Sequence, residues 1–168
     1  MTVACADIPL LLLPHAAGPP VYATEGAAGA DLLAAIDRAE IMEPGARFLA
    51  PTGVALALPH GVEAQIRPRS GLAIKNGVTV LNAPGTIDWD YRGEIMVPLV
   101  NLGETPFALT RGMRIAQMVF ASVTRAQWRQ MQQLPETVRG TGGFGSTGLE
   151  ENPVDTINTS PADMQRRQ

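Results

Sequence analysis

Turn-forming residues constrain this chain most. Its 17 glycines and 14 prolines are spread along 168 residues rather than gathered into one linker, and short apolar runs lie between them. That layout divides a chain into many short strands rather than a few long helices. The clearest run, Val62-Glu63-Ala64-Gln65-Ile66-Arg67, has the two-residue alternation of a half-buried strand. Gly53–Leu58, Val78–Leu81, Glu94–Leu99 and Met113–Phe120 read the same way. Turn signals separate them: Glu43-Pro44-Gly45, Pro59-His60-Gly61, Lys75-Asn76-Gly77, Ala83-Pro84-Gly85 and Leu102-Gly103-Glu104. The spacing is that of a β-sandwich or barrel.

Two segments pull the other way. Ala30–Ile41 and Ser122–Leu134 are rich in good helix formers, and propensity alone predicts a helix in each. The length suits one domain, and 45% apolar against 17% charged residues suffices for a core. The last stretch, Leu149–Gln168, is polar and aperiodic and reads as a flexible tail.

A net charge of −3 offers no global field for nucleic acid or a membrane surface, so neither is expected as a partner. Cys5 is the only cysteine, which excludes an internal disulfide, and His15 and His60 are too few and too far apart in sequence to suggest a zinc site. The apolar run Leu10–Leu13 is too short to span a bilayer and lacks preceding basic residues, so a cytoplasmic location is expected. Lys75 is the single lysine and the other twelve basic residues are arginines. Their planar forks suit phosphate, although a GC-rich genome would also produce this bias.

Three segments carry chemistry. Arg139–Gly148 holds five glycines, three hydroxyl residues, an arginine and Phe144. It could wrap a polyphosphate with backbone N–H groups, or be a plain linker. It lacks the Gly-Lys-Ser/Thr ending of a Walker loop. Pro68-Arg69-Ser70-Gly71-Leu72-Ala73 follows the best strand. Ser70 could cap a short helix there and form a phosphate seat, or the segment could be an ordinary strand-to-helix turn. Gly85–Glu94 packs three carboxylates, two aromatics and an arginine into an apparent hairpin. It could supply a general base, or be a polar turn.

Taken in order, the chain resembles the trimeric dUTPases in five motifs: Ala28–Ala34, Pro68–Ala73, Asn82 through Gly85–Asp88 to Tyr91–Glu94, Arg111–Phe120, and Arg139–Gly148. The resemblance runs from about Ile8 to Gly148. It implies an all-β, jelly-roll-like fold, a homotrimer and a flexible C-terminal arm. The corresponding division is 1–134 for the β-domain, 135–148 for the arm and 149–168 for the tail. It also makes Ala30–Ile36 a strand and Ser122–Leu134 extended, against their propensity.

The resemblance further implies that dUTP is hydrolysed to dUMP and pyrophosphate with Mg2+. Asp88 would activate the water that attacks the α-phosphorus. Tyr91 would lie under the deoxyribose and exclude a 2′-hydroxyl, while Asn82 reads the uracil edge. Arg69, Ser70 and Gln117 would hold phosphates beside Gly71, and Asp31 would order the water shell of the metal. Phe144 would stack on uracil and Arg139 reach the phosphates, from an arm that closes over a neighbouring subunit's site. Trp89 departs from the pattern, standing beside Asp88 where a small residue is common. One alternative, a dCTP deaminase-like enzyme, needs a glutamate on the strand after the hairpin, where this chain has Pro98. The other is a non-catalytic nucleotide-binding regulatory trimer, and against it all the catalytic-type residues are present.

Overall fold

Alternation along residues 113–120 becomes the longest strand among the described residues. The computed structural model describes residues 6–143. The chain divides into two units, Met1–Ala126 and Gln127–Gln168. Among the described residues, the first unit holds β1 (Leu10–Leu12), β2 (Val21–Tyr22), β3 (Ala30–Leu33), β4 (Glu40–Met42), β5 (Arg47–Pro51), β6 (Val54–Leu56) and β7 (Val62–Arg67). Then follow α1 (Ser70–Asn76), β8 (Val78–Val80), β9 (Gly85–Ile87), β10 (Met96–Asn101), β11 (Phe107–Leu109) and β12 (Arg114–Ser122). The all-β expectation is met, with one short helix.

The strands form four antiparallel sheets, ordered β1-β6, β5-β10-β8, β11-β4 and β2-β3-β12-β7-β9. All four send side chains into one core: Leu56 from the first sheet, Val97 and Leu99 from the second, Leu109 from the third, Leu32, Ile66 and Met118 from the fourth. Each such side chain removed from water contributes roughly 1.5–3 kcal/mol before entropy is counted. Two fully buried polar residues are satisfied inside this core. Asn101 Nδ2 donates to the carbonyls of Met42 and Thr105, and its Oδ1 accepts from the Gly103 amide. Thr52 Oγ1 donates to the Ile95 carbonyl at 2.6 Å.

Propensity fails at both helix-rich segments. Residues 30–33 pair with β12 as β3, and residues 123–131 have no regular structure. In the first case the buried pairs Leu32 with Ala116 and Ala30 with Met118 outweigh a helix preference of a few tenths of a kcal/mol per residue. The helix that does form stops where Gly77 turns left-handed (φ 68°) and gives its amide to the Ala73 carbonyl. A Cβ at Gly77 would sit 2.3 Å from the Gly103 amide nitrogen, so no other residue fits this crossing. No helix among the described residues is long and apolar enough to cross a membrane.

Candidate active site

Pairing across the five-stranded sheet brings three distant segments together. Asp31 in β3 lies opposite Gln117 in β12, and Gln117 lies opposite Arg67 at the end of β7, just before Arg69. Asp31 is only 8% exposed. Its Oδ1 accepts from Arg69 Nε at 2.8 Å, and its Oδ2 from Arg69 Nη2 at 3.4 Å and Arg114 Nη1 at 3.2 Å. Two guanidinium groups thus compensate one buried carboxylate, as burial of a charge requires. Gln117 Nε2 donates to the Pro68 carbonyl at 2.9 Å. Together with Ser70, Gly71 and Lys75 these residues line an open cleft of about 800 Å³.

Ser70 is not the helix cap. It is the first helical residue; Arg69 occupies the cap position with extended backbone (φ −95°, ψ 125°) and no side-chain cap bond. The Arg69 side chain is committed to Asp31 instead, and Ser70 is exposed on the cleft rim.

The hairpin segment stands apart from the cleft. β9 pairs with β7 at the edge of the same sheet and leads to Asp88, which is exposed. The Asp88 carbonyl accepts the Tyr91 amide at 3.2 Å. Arg92 Nη1 closes the turn by donating to the carbonyls of Trp89 and Tyr91 at 2.7 and 2.8 Å. The Tyr91 ring folds over Gly93, where a Cβ would come within 2.6 Å of its Cζ, and the Tyr91 hydroxyl donates to the Glu94 carbonyl at 3.0 Å. Asn82 crosses Gly85, whose Cβ would lie 3.3 Å from the Asn82 Nδ2. Trp89 meets the His60 ring edge-on at a centroid distance of 5.2 Å, so within one chain it is partly occupied by the β6–β7 turn. None of Asn82, Asp88 or Tyr91 lines the Asp31 cleft. One chain therefore gathers Asp31, Arg69, Ser70, Gly71 and Gln117, and separately presents Asn82, Asp88 and Tyr91.

Residues 127–143 of the second unit contain no helix or strand. Arg139 there donates from Nε to the Gly142 carbonyl at 3.1 Å, and the Gly140 amide donates to the Thr137 carbonyl at 3.0 Å. Phe144 and the tail 149–168 lie outside the described residues.

Sequence reasoning missed three groups. Arg114 was legible only as a member of the fourth motif, not as a partner of Asp31. Glu94 was legible as the end of the third motif, but nothing in the sequence linked it to His15, 79 residues away. Glu94 Oε1 accepts from the Gly53 amide at 2.7 Å, the Thr52 amide at 3.1 Å and His15 Nε2 at 2.9 Å. Burial alone would raise the Glu94 carboxyl. The His15 bond, the Gly53 and Thr52 amides and the His15 charge together outweigh it and hold the group below its ordinary value of 4.5. Arg111 fixes the other side of this joint, donating from Nη2 to the carbonyls of His15 and Ala16 at 2.8 and 2.9 Å.

Pro98 sits in β10, opposite Leu49, and its carbonyl accepts the Leu81 amide at 2.8 Å. Its ring offers no proton acceptor. No group of three or more His, Cys, Asp or Glu side chains converges among the described residues.

The antiparallel fold is that of known nucleotide-hydrolase structures. A dUTPase of Staphylococcus bacteriophage 80alpha with bound dUpNHpp superposes with a TM-score of 0.78 at 23% identity, covering 86% of this chain and all of that one. A point variant of the dUTPase from phage phi11 of S. aureus, described with a structural Mg(II) ion, gives 0.69 at 19% identity, over 78% of this chain and all of that one. The family model for dUTPase matches residues 16–148. Curated relatives agree. The deoxyuridine 5'-triphosphate nucleotidohydrolase of Rickettsia typhi is 60% identical over 130 residues, 77% of this chain and 88% of its own. That of Mesorhizobium japonicum is 59% identical over 140 residues, 81% and 87% respectively. The chain belongs to the dUTPase family.

Proposed function

We propose that this protein is a cytoplasmic dUTP diphosphatase, which hydrolyses dUTP to dUMP and pyrophosphate by attack of water on the α-phosphorus. The observation that carries the reading is the match of residues 16–148 to the family, which contains both the Asp31 cleft and the Asp88 hairpin. Asp88 takes the proton of the attacking water, work for which an exposed carboxylate on a turn is suited. Arg69, Ser70 and Gln117 bind phosphate oxygens in the cleft, and Arg139 adds a further positive charge from the arm. Tyr91 packs under the deoxyribose, Asn82 reads the base and Phe144 stacks on it. By this reaction the enzyme keeps uracil out of DNA and supplies dUMP for dTMP synthesis.

The residues fit Mg2+. Asp31 is a lone oriented carboxylate on the phosphate cleft, and this ion binds through one or two carboxylates, substrate phosphates and retained waters. When bound, it supplies charge neutralisation on the phosphate oxygens. Asp31 would then order the ion's water shell while its carboxylate holds Arg69.

The active assembly is a homotrimer whose sites lie between subunits. Two observations support this. The hairpin and the cleft are separate within one chain. The outward face of the β5-β10-β8 sheet carries exposed Leu49, Leu81 and Met96, an apolar surface suited to covering by a second copy.

Pyrophosphate release from dUTP, dCTP, dTTP and UTP tests the reading. Release from dUTP alone is expected. Ammonia from dCTP would instead indicate a deaminase, and binding of dUTP without turnover a regulatory trimer.

A further inference from the structure

Glu94 ties the hairpin to a part of the chain far from it. Its carbonyl accepts the Tyr91 hydroxyl, while its carboxylate Oε1 accepts three donors from elsewhere: the Thr52 and Gly53 amides of the β5–β6 corner and the His15 ring. The next residue continues the seam, with the Ile95 amide donating to the Val54 carbonyl at 2.8 Å and its carbonyl accepting Thr52 Oγ1. His15 does not float, because Arg111 grips its carbonyl and the Leu13 amide donates to the Gly53 carbonyl at 2.8 Å. We propose that Glu94 and His15 are positioning residues that set the height of the Tyr91 ring, and through it the discrimination between deoxyribose and ribose. Neither touches the sugar. They fix the base of the turn from which Tyr91 projects, and one oxygen gathers all three restraints. A ring held only by the turn's own bonds would move aside for a 2′-hydroxyl. This inference rests on the dUTPase reading and on Tyr91 contacting the sugar.

The test is the ratio of kcat/KM for dUTP to that for UTP, measured on full-length wild type, Glu94→Ala, Glu94→Gln and His15→Ala. A ratio does not depend on the fraction of protein that is active, so loss of folded protein leaves it unmoved. Removing charge-assisted hydrogen bonds at the joint is expected to narrow it by about tenfold in Glu94→Ala. His15→Ala, on a half-exposed ring, should narrow it by a smaller factor. Glu94→Gln keeps an oxygen at the same reach and should stay within about threefold of wild type. Ratios unchanged in Glu94→Ala and His15→Ala would overturn the proposal. If Glu94→Ala yields no folded protein, an unchanged ratio in His15→Ala with a folded, active Glu94→Gln overturns it alone. A wild type that does not prefer dUTP would instead refute the functional reading beneath it.

Discussion

Gly29 and Gln117 approach so closely that a Cβ on Gly29 would lie 2.5 Å from Gln117 Oε1 and 3.1 Å from its Cβ. The missing side chain lets Gln117 lie across the strand and hold the Pro68 carbonyl, so a glycine of the first motif shapes a residue of the fourth.

Gly29→Ala should therefore act on binding more than on folding. The Gln117 amide can swing away, which costs about one hydrogen bond, roughly 1 kcal/mol. KM for dUTP should rise several-fold while kcat changes by less than about twofold, and the thermal midpoint should fall by only a few degrees. A large kcat loss with unchanged KM would show that Gln117 acts in the chemical step instead.

Asp88→Asn preserves shape and removes the proton acceptor. A kcat loss of about 10²–10⁴ is expected, with dUTP affinity largely kept. Steady-state kinetics together with calorimetric titration of a non-hydrolysable dUTP analogue separate the two. Near wild-type turnover would remove Asp88 from its role.

An arm that closes over a neighbouring subunit's site, as proposed, predicts complementation. A variant lacking Asp88 and a chain truncated before Arg139 should each be nearly inactive. Mixed trimers should regain activity, because some sites then draw an intact hairpin and an intact arm from different chains. Labelled subunits verify exchange. Proven exchange with no recovery would mean that each arm serves its own subunit.

Glu94 gives a pH signature to stability. Its carboxyl is lowered from 4.5 in the folded chain, so the unfolded chain binds the proton more readily. The stabilisation is complete above 4.5 and is lost as pH falls through the folded value. Thermal midpoints taken from about pH 6 down to 3 should fall more steeply for wild type than for Glu94→Gln. Parallel curves would show that the joint is not electrostatic.

The parts of this molecule that were legible in its sequence are those whose cause is local. Val62–Arg67 alternates because β7 has one face on the core, with Ala64 and Ile66 buried. Residues 30–41 misled because Ala, Leu, Arg and Glu favour a helix in isolation, whereas β12 offers buried pairing partners some 85 residues away. Ser70 misled because a hydroxyl before a helix usually caps it, whereas here the helix begins one residue earlier, with Arg69 at the cap position and its side chain on Asp31. Motif order named the candidate residues yet said nothing about which share a cleft. The His15–Glu94 joint depends on two residues that no pattern links.

The single lysine of the chain stands on the rim of the Asp31 cleft, exposed in the last turn of α1. For most enzymes, amine-reactive reagents scatter over the surface. Here the only side-chain amine borders the Asp31 cleft, so a fluorophore or crosslinker coupled to Lys75 would report from that cleft without any engineered cysteine. If nucleotide occupies the proposed site, it should protect that one amine, and the protection would be an occupancy assay that needs no turnover.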